Sequence, residues 1–228
     1  MDDLTPVLVV TPHPDDAEGG AGGTIARWTA QGRKVILVVC TNGDKGTSDR
    51  SISPEALAKT REKEQLKAAE VLGVSEVAFL RMPDQGLEDS PEFREKIVRQ
   101  IRIHAPHTVV TVDPNRRYTR HRDHYVTGRV TLDAVFPYAR DHLAYPEHLE
   151  EGLEPHKVRE VLLWSSEEPD TFLDVTDTFK TKMDALYCHV SQTGLPSEER
   201  EERAKARHTE AGKRIGVPLA EQFKRIEI

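Results

Sequence analysis

Cysteine is scarce in this sequence: Cys40 and Cys188 are its only two, and they form no CxxC pair. That excludes a disulfide framework and suits a reduced cytoplasmic protein with two buried thiols. Long apolar runs are missing as well. No segment approaches the roughly 20 apolar residues of a membrane span, and Met1-Asp2-Asp3 lacks the basic start and apolar core of a signal peptide. A membrane partner is therefore not expected. Nor is there an excess of positive charge. Lys and Arg number 32 against 39 Asp and Glu, a net charge of -7 with the signs interspersed, which gives no electrostatic reason to expect a nucleic-acid partner. Internal repeats and low-complexity tracts are also absent.

The composition that is present, 37% apolar and 31% charged over 228 residues, suits a soluble globular chain, and one domain over residues 1–228 is expected. Short runs rich in Val, Leu and Ile at 7–11, 34–41, 76–80, 108–113 and 159–165 have the character of strands buried on both faces. Helical stretches fall between them, at about 22–31, 54–72, 91–104 and 124–136. The second begins Ser53-Pro54-Glu55 and stops at Gly73, and the third begins Ser90-Pro91-Glu92, so both carry start signals for a helix. Strand and helix in alternation imply an α/β, Rossmann-like doubly wound fold, with a mainly parallel sheet and helices on both faces. A charged, solvated helix is expected over about 197–215.

In such folds ligands gather at the carboxyl ends of the strands, and there the first strand runs into TPHPDDAEGGAGGT, Thr11 to Thr24. As a dinucleotide fingerprint the stretch fails: Gly20 and Gly22 supply G-x-G, but the third glycine would be Ile25, and Asp15 and Asp16 would repel a pyrophosphate. As a metal site it is better. The spacing lets the imidazole of His13 and the carboxylate of Asp16 converge on one cation, with Asp15 free beside them, while the glycines let the next helix approach the sheet. A catalytic zinc needs a third protein ligand and an open position for water. YTRHRDHYVTG, Tyr118 to Gly128 after the fourth strand, offers His121 or His124. The set suits zinc, and iron(II) or cobalt(II) can also occupy it. The other histidines, His104, His107, His142, His148, His156 and His208, are assigned surface or packing roles. The segment 139–156 is expected to shape the pocket mouth.

PHPDDAEGGAGGTIA, TNGDKG, the RxxE and LGV of residues 61–74, MPDQGL at 82–87, HRDH, and ALYCHVSQ at 185–192 follow one another here. In this order they resemble the zinc-dependent N-acetylglucosamine deacetylases of the PIG-L or LmbE-like family, over about residues 7–192. The form HPDDAE is similar to the branch of bacillithiol-pathway deacetylases. The resemblance implies one zinc ion per chain held by His13, Asp16 and His124, with Asp15 as general base and a protonated His121 offsetting charge at the oxyanion. It also implies a Rossmann-like fold, a small amino-sugar substrate and a homo-oligomer, a trimer or hexamer. Asp15 has a second reading as an anchor for the loop. Asp123 is expected as the carboxylate that takes the other N–H of a metal-bound imidazole, or else as a solvated helix residue. Arg61, Asp84, Tyr118 and His189 are candidates for contact with the sugar, and for Arg61 and Asp84 a structural ion pair is the alternative. The expected activity is removal of an N-acetyl group from an N-acetylglucosamine-containing small molecule. Its competitors are an amidase acting on amino-sugar thiol conjugates and a non-catalytic metal- or sugar-binding module.

Overall fold

The computed structural model describes residues 6–118 and 120–228. Its strands are β1 (Val7–Thr11), β2 (Val35–Thr41), β3 (Glu76–Met82), β4 (Thr108–Val112), β5 (Glu160–Trp164), β6 (Thr171–Asp174) and β7 (Ala220–Glu227). The helices are α1 (Asp16–Ala30), α2 (Pro54–Leu72), α3 (Pro91–His104), α4 (Arg122–Asp133), α5 (Glu147–Glu150), α6 (Phe179–Leu186), α7 (Val190–Thr193) and α8 (Glu198–Lys213). All seven strands join one sheet in the order β3-β2-β1-β4-β5-β7-β6. β1 to β5 run parallel, and β7 lies antiparallel between β5 and β6.

Alternation along the strands explains the two layers of helices. Leu8, Val10, Ile36 and Val38 face Phe93, Ile97 and Ile101 of α3 and Val126 and Val130 of α4. Their neighbours Val7, Val9, Val35 and Leu37 face the other way, onto Ala17, Ala21 and Ile25 of α1, Ala68 and Leu72 of α2, and Ala185 of α6. The doubly wound α/β fold expected from the apolar runs is the fold observed.

The caps of α2 and α3 follow their sequence signals. The Ser53 hydroxyl accepts from Ala56 N at 3.2 Å and the Ser90 hydroxyl from Phe93 N at 3.1 Å, while Gly73 closes α2 at φ 72°. Helix α1 departs from expectation, starting at Asp16 rather than near residue 22. Each interior glycine costs a helix about 1 kcal/mol, and α1 contains Gly19, Gly20, Gly22 and Gly23. Full burial of an aliphatic side chain gains roughly 1.5–3 kcal/mol, and these glycines bring α1 close enough for that burial. A β-carbon on Gly20 would stand 2.4 Å from the Trp164 ring, and one on Gly23 2.8 Å from Val175.

The helix expected over 197–215 is α8, whose charged surface is interrupted by a buried edge of Ala204, His208, Ala211 and Gly212. Cys40 is buried as expected, but Cys188 is half-buried. Among the described residues no helix is long and apolar enough to cross a membrane.

Candidate metal centre

β1 and β4 are neighbours, yet the chain leaves β1 for β2 on the other side, so a crevice opens at their carboxyl ends. β1 delivers His13, Asp15 and Asp16 to this crevice, and β4 leads to His121, Asp123 and His124 at the start of α4. The two stretches meet. His13 Nδ1 lies 2.9 Å from Asp16 Oδ2, and His124 Nε2 lies 3.1 Å from the same oxygen. The His13 ring centroid is 4.9 Å from that of His121 and 5.3 Å from that of His124.

Two donor groups, each with all its ligand atoms within 4.8 Å of one another, share His13: one adds Asp16 and His124, the other His121 and Asp123. Asp123 is already engaged. Its side chain is fully buried, and it accepts from Gln85 N at 2.6 Å and from Leu87 N at 3.2 Å. Its Oδ2 also lies 3.2 Å from His13 Nε2, with Asp84 Oδ1 at 3.3 Å from the same nitrogen. His13 Nε2 is thus held between two carboxylates and Nδ1 is turned towards Asp16. A tetrahedral zinc with bonds of about 2.0–2.2 Å places its donors roughly 3.3 Å apart. The two imidazoles and one carboxylate of His13, Asp16 and His124 fit such a cation in donor chemistry and in spacing.

The electrostatics agree. Burial works against charge on His13, but Asp123, Asp16 and Asp84 outweigh it and raise its pKa to about 11. Burial also opposes the charge of Asp16, and His124 and His13 overcome that and hold its carboxyl well below the usual range. The Asp16 carboxylate, which lies against both imidazoles, would likewise attract a divalent cation between them. Burial pushes the Asp15 carboxyl up to about 7, the Asp16 charge adding to the rise and Arg61 opposing it. His121 is pushed down by burial and by His13. Its Nδ1 accepts from Asp123 N at 3.2 Å, which leaves a neutral ring with its proton on Nε2.

Asp15 caps α1 with φ 98°, a left-handed conformation that a non-glycine residue adopts only where its surroundings enforce it. Arg61 is the main enforcer. Its Nη2 donates to Pro14 O at 2.6 Å and reaches Asp15 Oδ2 at 3.4 Å, and its Nη1 donates to Gly43 O at 3.0 Å. The buried guanidinium therefore holds these loops together. Asp84 likewise braces His13 and accepts from Lys45 N at 2.8 Å. Tyr118, a candidate for contact with the sugar, is 91% exposed. His189 is fully buried, with its Nε2 3.5 Å from Glu18 Oε2. Glu18 and Gln65, its neighbours, were not singled out by the sequence. The signal was a lone acid, Glu18, on the small-residue helix behind HPDD.

The segment 139–156, expected at the pocket mouth, packs along α3. Arg102 donates to the carbonyls of Ala139, Asp141, Ala144 and Tyr145, and His148 pairs with Glu95 at 2.7 Å.

Residues 8–135 match the family PIG-L, described as GlcNAc-PI de-N-acetylase. The chain is 35% identical over 192 residues to the diacetylchitobiose deacetylase of Thermococcus kodakarensis, a match covering 84% of this chain and 72% of that protein. It is 32% identical, also over 192 residues, to the probable N-acetyl-alpha-D-glucosaminyl L-malate deacetylase 2 of Bacillus cereus, covering 82% of this chain and 83% of that one. The solved N,N'-diacetylchitobiose deacetylase of Pyrococcus horikoshii superposes with a TM-score of 0.91 at 32% identity, over 98% of this chain and 84% of that chain. With more than half its length matched and its fold shared throughout, the chain belongs to the PIG-L family.

Proposed function

We propose that this protein is a zinc-dependent hydrolase that removes the acetyl group from an N-acetylglucosamine-containing small molecule. The observation that carries the reading is the meeting of His13, Asp16 and His124 at one point, with Asp15 and His121 beside it. Relatives at 32–35% identity that are named as deacetylases of such sugars support the substrate class.

His13, Asp16 and His124 would hold a divalent cation, which would supply Lewis acidity towards the acetyl carbonyl and towards water. The remaining work falls to the chain. Asp15 takes a proton from the attacking water, and its raised pKa suits a group that must accept a proton and give it up again. His121, through Nε2–H, donates to the oxygen that gains charge in the tetrahedral intermediate. The C–N bond then breaks, and the proton on Asp15 passes to the departing nitrogen. The products are acetate and the free amino sugar. Asp84 and Asp123 act on neither product; they fix the orientation of His13.

Zinc is favoured by the donor set, the family resemblance supports a homo-oligomer, a trimer or hexamer, and the two free cysteines suit a reducing cytoplasm. The test is metal analysis of purified protein followed by assay of acetate and free amine from N-acetylglucosamine glycosides, with a cysteinyl conjugate of the amino sugar in parallel. About one metal per chain with acetate release is the expected result. Cleavage of the conjugate alone would move the assignment to an amidase. No turnover of either with zinc, iron(II) or cobalt(II) would leave a binding module.

A further inference from the structure

Three residues on one face of α2 brace the segments around the crevice. Arg61 holds Pro14 and Asp15, and Gln65 Nε2 donates to Glu18 Oε1 at 2.6 Å. Glu64 accepts from Ser191 N at 2.8 Å and from the Ser191 hydroxyl at 2.6 Å. The last pair fixes the start of α7, and so places His189, which precedes it. His189 and Glu18 are both fully buried, with His189 Nε2 3.5 Å from Glu18 Oε2. Among the described residues neither ring nitrogen of His189 and not that oxygen of Glu18 has a hydrogen-bond partner. Buried polar groups normally find partners, so a buried acid and a buried imidazole facing each other are held there against a desolvation cost that apolar side chains would avoid. Packing alone gives no reason for the pair.

Its position supplies one. Glu18 sits in the first turn of α1, three residues after Asp15, whose left-handed backbone needs outside support. We propose that His189 is a positioning residue for Asp15, acting through Glu18: the pair fixes the first turn of α1 so that the Asp15 carboxylate keeps its aim into the crevice. This rests on the deacetylase reading for the role of Asp15.

The test compares His189→Leu, His189→Gln and Glu18→Gln with the unaltered zinc-loaded protein. The readouts are kcat, KM, metal content, and hydrogen exchange of the amides at 16–20. A small shift of a catalytic group costs up to about a hundredfold in rate. We expect His189→Leu to keep its metal and its KM within about twofold, to lose kcat by about tenfold or more, and to speed exchange at 16–20. His189→Gln, which still offers a donor to Glu18, should recover most of both. If His189→Leu does not fold, Glu18→Gln, with similar volume, carries the same expectation. Unchanged kcat and exchange would overturn the proposal, as would a loss confined to KM or a loss of metal. An unaltered protein that releases no acetate would count against the deacetylase reading instead, while the exchange measurement would still report on the pair.

Discussion

Asp15 and Asp16 are adjacent carboxylates whose surroundings drive them apart, one raised towards neutrality and the other pulled well down. Two imidazoles contact Asp16, whereas the guanidinium of Arg61 lies farther from Asp15, at 3.4 Å. Their substitutions should differ accordingly. Asp15→Asn is expected to retain metal and lose kcat by a factor on the order of 10² or more; full turnover in a metal-replete variant would remove it from the role of base. His124→Ala should lose metal and activity together, seen by metal analysis beside the assay. Asp123→Asn weakens the brace on His13 and should reduce metal affinity by roughly 10–100-fold, measured by competition with a chelator. Such pairings were only partly legible in the sequence. HPDD and HRDH stand out because each follows an apolar strand, but nothing in one dimension shows Asp84 and Asp123 closing on the same nitrogen of His13.

At the scale of elements, α4 carries His121, Asp123 and His124, so its seat on β4 sets the geometry of half the site. Gly128 makes that seat possible: a β-carbon there would lie 2.3 Å from Val112 O, a backbone atom with little freedom to retreat. Gly128→Ala should therefore push α4 outward, costing roughly 1–3 kcal/mol of stability and weakening metal binding in parallel. Thermal unfolding with a zinc titration measures both, and an unchanged melting temperature would show that the helix has room. Elements buried on both faces, such as β1, β2, β4 and β5, were readable because their residues are almost all apolar. The serine and proline signals of α2 and α3 are local chemistry and were readable too. β6 and β7 were not: Thr171–Asp174 is half-buried and Ala220–Glu227 mixes charges with apolar residues, so neither resembles a strand until its neighbours are present. The start of α1 was missed because its glycines act through tertiary contact, which propensity does not contain.

Across the whole molecule, Glu221 of β7 ties the end of the sheet to its beginning. It accepts from Gly23 N and Thr24 N of α1 at 2.9 and 2.8 Å, and from Lys182 Nζ of α6 at 2.6 Å. Burial alone would raise its pKa, but Lys182, His208 and Thr24 bring it down to about 2 from an ordinary 4.5. A lowered folded-state pKa stabilises the protein above the unfolded value. That contribution should fade as pH falls from about 4.5 towards 2. Glu221→Gln should lower stability near neutral pH and flatten this part of the acid unfolding curve, followed by circular dichroism. An identical acid limb in the variant would mean that other groups govern it. The placement of β7 also bears on how the protein is made. It follows the other described strands in chain order, yet it lies inside the sheet, and among the described residues β6 pairs with no other strand. Until residues 220–227 emerge from the ribosome, β5 keeps a bare edge, β6 has nothing to join, and Lys182 has no counter-charge. Until then the nascent chain carries an open sheet edge, available to a chaperone or to another nascent chain.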